Sequence, residues 1–239
     1  MSLKILKENE EGFGILVEGD AGYVSDGIHG DIINEEANRG ELDLTQPIYY
    51  YATLQKYGTE NRNGRVYPEA ILKREVEKYR EVIKRNSSFH ELDHPQESVI
   101  SLKGGSPHRI VDMFWRDNVL IGKLEILVSE GFRKSGIISC NGDLTAMYLS
   151  YGMTLGISSR GVGSLKKVNG KNVVQDDFEL ICWDVVSSPS TPGSYLYKDQ
   201  NEFKKYDEVL DDDSSISENK TEVDKENSFI NNLNKFLGM

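Results

Sequence analysis

Leu155-Gly156-Ile157-Ser158-Ser159-Arg160-Gly161-Val162-Gly163 sets two adjacent hydroxyls between a glycine-punctuated apolar run and an Arg-Gly-Val-Gly exit. Glycines on both sides of a serine let other backbone approach, free amide groups to face a ligand, and tolerate the dihedrals that expose a nucleophile. On this pattern Ser159 is the candidate nucleophile. The same letters also describe a strand end turning through glycines, with both serines as ordinary turn formers. The flanking chain has to decide between the two.

Downstream, Asn169-Gly170 is a hairpin turn signal, and residues 178–186 form an apolar strand that runs into Ser187-Ser188-Pro189-Ser190-Thr191-Pro192-Gly193. Upstream, residues 143–151 predict a short helix capped by Gly152. Residues 108–115 and 119–127 read as a hairpin about Asp117-Asn118, and residues 98–102 as a further strand. From Glu69 to about Lys84, Ile71, Leu72, Val76, Tyr79, Val82 and Ile83 recur at helical spacing among charges, with Pro68 placed to open the helix. Residues 13–17 and 47–54 are β-prone. The order of elements predicts a mainly β (α+β) fold, a closed and largely antiparallel barrel with flanking helices, over a doubly wound parallel sheet.

A chain of 239 residues, 38% hydrophobic, can bury one substantial core, here assigned to residues 1–200. The formal charge of -11 argues against direct nucleic-acid binding, which needs a basic face. The acid is concentrated: residues 199–226 hold eleven Asp/Glu against four Lys. Residues 201–239 therefore read as a flexible acidic tail, ending in a short amphipathic helix through Phe229, Ile230, Leu233, Phe236 and Leu237. No run of eighteen apolar residues suggests a membrane span, and the N-terminus lacks the features of a secretory signal. Cys140 and Cys182 are read as inert thiols of a cytoplasmic protein.

His90-Glu91-Leu92-Asp93-His94 has the letters of H-E-x-x-H, which on a helix would set two imidazoles on a zinc ion with Glu91 as general base. Pro95 argues against it, because the residue before proline is pushed out of the helical region and His94 would have to end the helix. The other reading is a short strand that presents His94 at a barrel rim, where it accepts the proton of Ser159. A merely packed or capping histidine fits the spacing as well. His108, just after Pro107, is a rival base and is read as supporting the site. Asp184 interrupts an apolar strand, and a buried carboxylate there would need a partner such as an imidazole. Strand alternation could equally put it in water.

Four segments in order resemble one family: Asn61-Arg62-Asn63-Gly64-Arg65-Val66-Tyr67-Pro68; Glu91-Leu92-Asp93-His94-Pro95; Gly156 to Gly163; and Asp177-Phe178-Glu179-Leu180 running on through Asp184-Val185-Val186 to Gly193. They are similar to the prohead (capsid maturation) serine proteases of tailed bacteriophages, of the T-even type, relatives of the herpesvirus assemblins. The likeness spans roughly residues 45–197. It implies a serine endopeptidase on a closed barrel, made as a zymogen and working without cofactor or metal. Its substrates would be the phage scaffold/core proteins and major capsid protein, cut in the host cytoplasm inside the assembling prohead, with no membrane partner and homo-oligomers allowed.

By resemblance the base is His94 and the third member Asp184. The Ser-x-Gly frame selects Ser159, with Arg160 and Gly161 supporting the oxyanion and substrate. Enzymes of this type are similar in cutting after Leu/Ile-x-Glu, which makes Glu218 in Ile216-Ser217-Glu218 and Glu8 in Leu6-Lys7-Glu8 candidate self-cleavage positions. The alternatives are a zinc peptidase built on His90, Glu91 and His94, or a catalytically inactive structural head protein.

Overall fold

Tyr50, Ala52 and Leu54 are fully buried while Tyr49 is exposed and Tyr51 half-buried, the alternation of a strand with one face on a core. The computed structural model describes residues 13–17, 42–95 and 99–198; the acidic tail and the candidate cleavage residues Glu8 and Glu218 lie outside them. In chain order the elements are β1 (Phe13–Val17), β2 (Ile48–Lys56), β3 (Arg65–Val66), α1 (Glu69–Lys84), β4 (His108–Arg116), β5 (Val119–Ile126), α2 (Glu130–Ser135), α3 (Asn141–Ser150), β6 (Gly156–Val168), β7 (Lys171–Val174), β8 (Glu179–Val186) and β9 (Leu196–Tyr197). One sheet runs β1-β6-β7-β3, with β8 also paired to β6; the other runs β4-β5-β2-β9. The pairings are antiparallel apart from the short β3–β7 contact, as the sequence of hairpins predicts.

Local chemistry accounts for most of these boundaries. Asn169 and Gly170 both take positive φ, 51° and 84°, the turn whose twist matches its strands. Helix α1 follows Pro68 as expected and buries Leu72, Glu75, Val76 and Tyr79, with the Tyr79 ring edge-on to Trp183 at 4.9 Å. Buried Glu75 is held by Arg74, Lys78 and the Leu180 N–H, which fastens α1 to β8. Helix α3 starts two residues before the expected Asp143, because that carboxylate caps it from inside the first turn. Asp143 accepts from the N–H and hydroxyl of both Ser129 and Ser139 and from the Cys140 N–H. Burial alone would raise its carboxyl; these donors outweigh burial and hold it at about 2. Residues 99–102, expected as strand, are irregular and lead into Gly104 and Gly105 at φ 82° and 77°.

The glycine-rich serine stretch is not a turn. It is the first half of the thirteen-residue β6, and among its glycines Gly156, Gly161 and Gly163 none has positive φ. Their role is space: a Cβ on Gly156 would lie 2.6 Å from Pro189 Cδ, and one on Gly161 2.5 Å from Phe178 Cε2.

The expected closed barrel is also corrected: the strands form two sheets that meet along two seams. At one, Leu196 N–H donates to Leu155 O, Ile157 N–H donates to Ser194 O, and Gly156 bridges Tyr195. At the other, residues 88–94 lie between β8 and β4. Backbone bonds tie them to β8, through a single parallel Leu92–Val185 bridge with Val185 N–H to Glu91 O and Asp93 N–H to Val185 O. Side chains tie them to the β4 side: Ser88 Oγ accepts from Ile110 N–H at 3.2 Å, and Ser106 Oγ from His90 N–H at 2.8 Å. Pro107, just before β4, has no N–H to offer a ladder, and the bonds across this seam run through the Ser88 and Ser106 hydroxyls. Among the described residues no helix is long and apolar enough to cross a membrane.

Candidate active site

The β6–β8 register sets Gly156 opposite Val186, Ser158 opposite Asp184, Ser159 opposite Trp183 and Arg160 opposite Cys182, without a shift until Gly161. Residues directly opposite in an antiparallel pair share a face, and neighbours along a strand alternate. Ser158, Arg160, Cys182 and Asp184 therefore lie on one face, and Ile157, Ser159 and Trp183 on the other. The Arg160 guanidinium bears this out by reaching both Asp184 and Cys182. Both serines are buried.

His94 arrives from outside the sheet. After the Leu92–Val185 bridge the chain turns at Asp93, whose φ of 62° is left-handed and whose N–H is fastened to Val185 O at 2.7 Å. The turn delivers the imidazole onto the Asp184 face, with Nδ1 2.8 Å from Asp184 Oδ2. Asp184 also accepts from Arg160 Nε at 2.9 Å on Oδ2, and from Glu91 N–H at 2.8 Å and the Cys182 thiol at 3.2 Å on Oδ1. Burial alone would raise this carboxyl. The His94 hydrogen bond and the Arg160 charge lead the opposing effects and hold it below its usual range, so it is ionised at neutral pH. Burial, joined by the Asp184 charge, pushes the Cys182 thiol well up; it stays protonated and donates.

An ionised Oδ2 at this distance calls for the proton on His94 Nδ1, which leaves Nε2 as the basic nitrogen. His94 Nε2, Ser158 Oγ and Ser159 Oγ are all buried, with no hydrogen-bond partner among the described residues. His94 and Asp184, ninety positions apart, are thus brought together. Ser159 stands on the opposite face from Asp184, and Ser158 shares its face. Strand alternation thus separates the serine of the Ser-x-Gly frame from Asp184, and places Ser158, two before Arg160, on the Asp184 face.

Of Arg160 and Gly161, expected to support an oxyanion, the arginine is bonded to carboxylates and the glycine is closely packed. The guanidinium turns inward to Asp184 and to the Glu91 carboxylate. Gly161 lies under Phe178 and the Glu179 carbonyl.

The zinc alternative lacks its helix: residues 88–95 are irregular, with one bridge at Leu92 and a left-handed turn at Asp93. His90 Nδ1 accepts from Trp183 N–H at 3.2 Å, so Nε2–H donates to Ser88 Oγ at 2.8 Å; Glu91 is taken by Arg160, and His94 by Asp184. Among the described residues no three His, Cys, Asp or Glu side chains are grouped to hold a metal. His108, the rival base, is fully buried and stacks on His90 with centroids 4.1 Å apart. Burial pushes His108 down to about 3, and burial with repulsion from His108 holds His90 well below its ordinary value. Both rings are neutral packing groups near neutral pH.

An imidazole bonded to a buried carboxylate, beside a strand that carries serines, is an arrangement suited to acid–base chemistry. Residues 10–204 match the family model described as prohead core protein serine protease, and the chain belongs to that family. The prohead core protein protease of Enterobacteria phage T4 is 29% identical over 187 residues, 76% of this chain and 82% of that protein. The solved structure of the bacteriophage T4 capsid assembly protease aligns with a TM-score of 0.56 at 26% identity, covering 76% of this chain and 100% of that one. The chain is a prohead protease of the T-even type.

Proposed function

We propose that this peptidase is a serine endopeptidase that cuts the core (scaffold) and capsid proteins of an assembling phage head, inside the prohead in the host cytoplasm. Ser158 is the nucleophile, in place of the expected Ser159, with His94 as general base and Asp184 as the group that fixes the imidazole. The observation that carries this reading is the 2.8 Å bond from His94 to a buried Asp184 whose cross-strand partner is Ser158. In the reaction, Ser158 Oγ attacks the peptide carbonyl as His94 Nε2 takes its proton. Collapse of the tetrahedral adduct breaks the C–N bond, and His94 returns the proton to the leaving amine. Water, activated by the same nitrogen, then releases the acyl group and restores Ser158. Arg160 supports the site by holding Asp184 in place.

Self-processing at Glu8 and Glu218 belongs to the same proposal, carried by the Leu/Ile-x-Glu pattern in the sequence. Intact-mass measurement of active protein should lose the corresponding end segments; unchanged ends after full turnover would remove that part.

The central experiment co-expresses the full chain with the core and capsid proteins of its phage and, in parallel, treats it with a fluorophosphonate probe. Expected are mass-mapped fragments of those proteins and a phosphonyl adduct on Ser158, both reduced about a thousandfold or more in Ser158→Ala. An adduct on another residue, or cleavage that survives the substitution, overturns the assignment. Neither cleavage nor adduct in the folded wild type would favour an inactive head protein.

A further inference from the structure

Glu91 takes no part in that scheme, yet its polar groups are all engaged. Its N–H donates to Asp184 Oδ1 at 2.8 Å and its carbonyl accepts from Val185 N–H at 3.0 Å. Oε1 accepts from Ser101 N–H at 3.1 Å, and Oε2 is bound by Arg160 Nη2. Arg160 closes the ring with Nε on Asp184 Oδ2 at 2.9 Å and Nη2 at 3.4 Å from Oδ1. Side-chain exposure is 0% for Arg160 and Asp184 and 12% for Glu91.

Two carboxylates thus share one guanidinium where water is largely excluded. Glu91, Asp184 and Arg160 together carry one surplus negative charge, which a protonated His94 would cancel. Net charge in such a place is costly and lightly screened, so the surplus favours the imidazolium that forms as the serine proton is taken. His94 meets Asp184 on β8, and the charged or titratable groups bound to Asp184 in turn are the protonated Cys182 on β8, Arg160 on β6 and Glu91 on the histidine's own segment; Asp93 beside it is exposed.

We propose that Glu91 is a positioning residue for catalysis: it supplies the surplus negative charge that favours His94 imidazolium and fixes Asp184 through its own N–H and through Arg160. The proposal rests on the reading of His94 as the base. It accounts for the departure from a simple buried ion pair: Arg160 offsets much of the Asp184 charge that faces the imidazole, and Glu91 restores the surplus. Oε1 extends the device to residue 101, whose neighbours Val99 and Leu102 are exposed apolar side chains.

The test uses the full chain and the pH profile of Ser158 phosphonylation by the fluorophosphonate probe. Glu91→Gln keeps the hydrogen-bonding shape and removes the charge. It is expected to slow labelling on the order of tenfold and to move the acid limb to lower pH by about one pH unit. Glu91→Asp, which keeps the charge, leaves the limb in place. Arg160→Gln raises the surplus and moves the limb to higher pH, giving a reading of opposite sign should Glu91→Gln not fold.

Slower labelling in Glu91→Gln with an unmoved limb makes the residue merely structural and overturns the proposal. A second readout, the proton NMR titration of the His94 imidazole in a Ser158→Ala background, separates the two assignments. If the wild type is not labelled at Ser158 but the titration responds to Glu91→Gln, the nucleophile falls and the charge device stands. If Ser158 is labelled and neither readout responds, the device falls alone.

Discussion

Asp184 sits where burial and bonding pull in opposite directions, and bonding prevails: the carboxyl is held low by His94, Arg160 and the Glu91 N–H despite 0% exposure. Its ionised form selects the Nδ1–H tautomer of His94, the one that leaves Nε2 free to take a proton. Asp184→Asn removes that selection, since the amide can present its NH₂ to Nδ1 instead. Labelling of Ser158 is expected to fall by about a thousandfold to ten-thousandfold with the unfolding transition retained; a fall of only a few-fold would remove Asp184 from the scheme. Ser159→Ala tests the parity of β6. Facing Trp183, its hydroxyl is remote from the Asp184 side, so labelling stays within a few-fold of wild type, and a loss as deep as that of Ser158→Ala would return the nucleophile to Ser159.

At the scale of the element, β6 is a strand that has to be thin where others cross it. Phe178 and the Glu179 carbonyl occupy the space that a Gly161 side chain would need, at 2.5 Å and 2.7 Å from an added Cβ. A carbonyl at the start of β8 cannot retreat without disturbing the pairing that sets Ser158 opposite Asp184. Gly161→Ala is therefore expected to cost about 1–3 kcal/mol in urea unfolding and to slow labelling as well. Gly170 is the contrast: nothing lies within 4 Å of an added Cβ, but its φ of 84° makes a substitution there strained. Stability of Gly161→Ala equal to wild type would show that the strand is not packed this tightly.

For the whole molecule, the buried pair His90 and His108 makes the fold sensitive to acid. Their folded values are depressed, so between the ordinary histidine value and about 3 the unfolded chain binds protons that the folded chain refuses. Stability is complete above the unfolded value and falls as pH drops below it, until the folded rings themselves take protons. For His108 alone, going from pH 7 to pH 5 costs about 2 kcal/mol. Asp143, held at about 2, adds a loss only below the ordinary carboxyl range. Urea unfolding at pH 7 and pH 5 should show the decline, and His108→Phe, which preserves the stack, should reduce it by about 2 kcal/mol. An unchanged pH difference in that variant would mean that the burial of His108 is not what makes the fold acid-labile.

What the sequence settled by itself is what neighbours along the chain decide. Helix α1 lies where the spacing of Leu72, Val76 and Tyr79 and the position of Pro68 put it, and the two hairpins turn at Asp117-Asn118 and Asn169-Gly170, because periodicity and turn chemistry act over a few residues. His94 and Asp184 were legible as polar residues in places that needed a partner, and the family was legible in four short segments taken together. Which serine shares their face, why the sheets meet at hydroxyl-bonded seams instead of closing, why His90 stacks on His108, and why Arg160 turns inward to Glu91 were decided only by the tertiary structure. Each depends on strand register and on burial between segments far apart in the chain, and a shift of one residue in register exchanges the two faces of a strand.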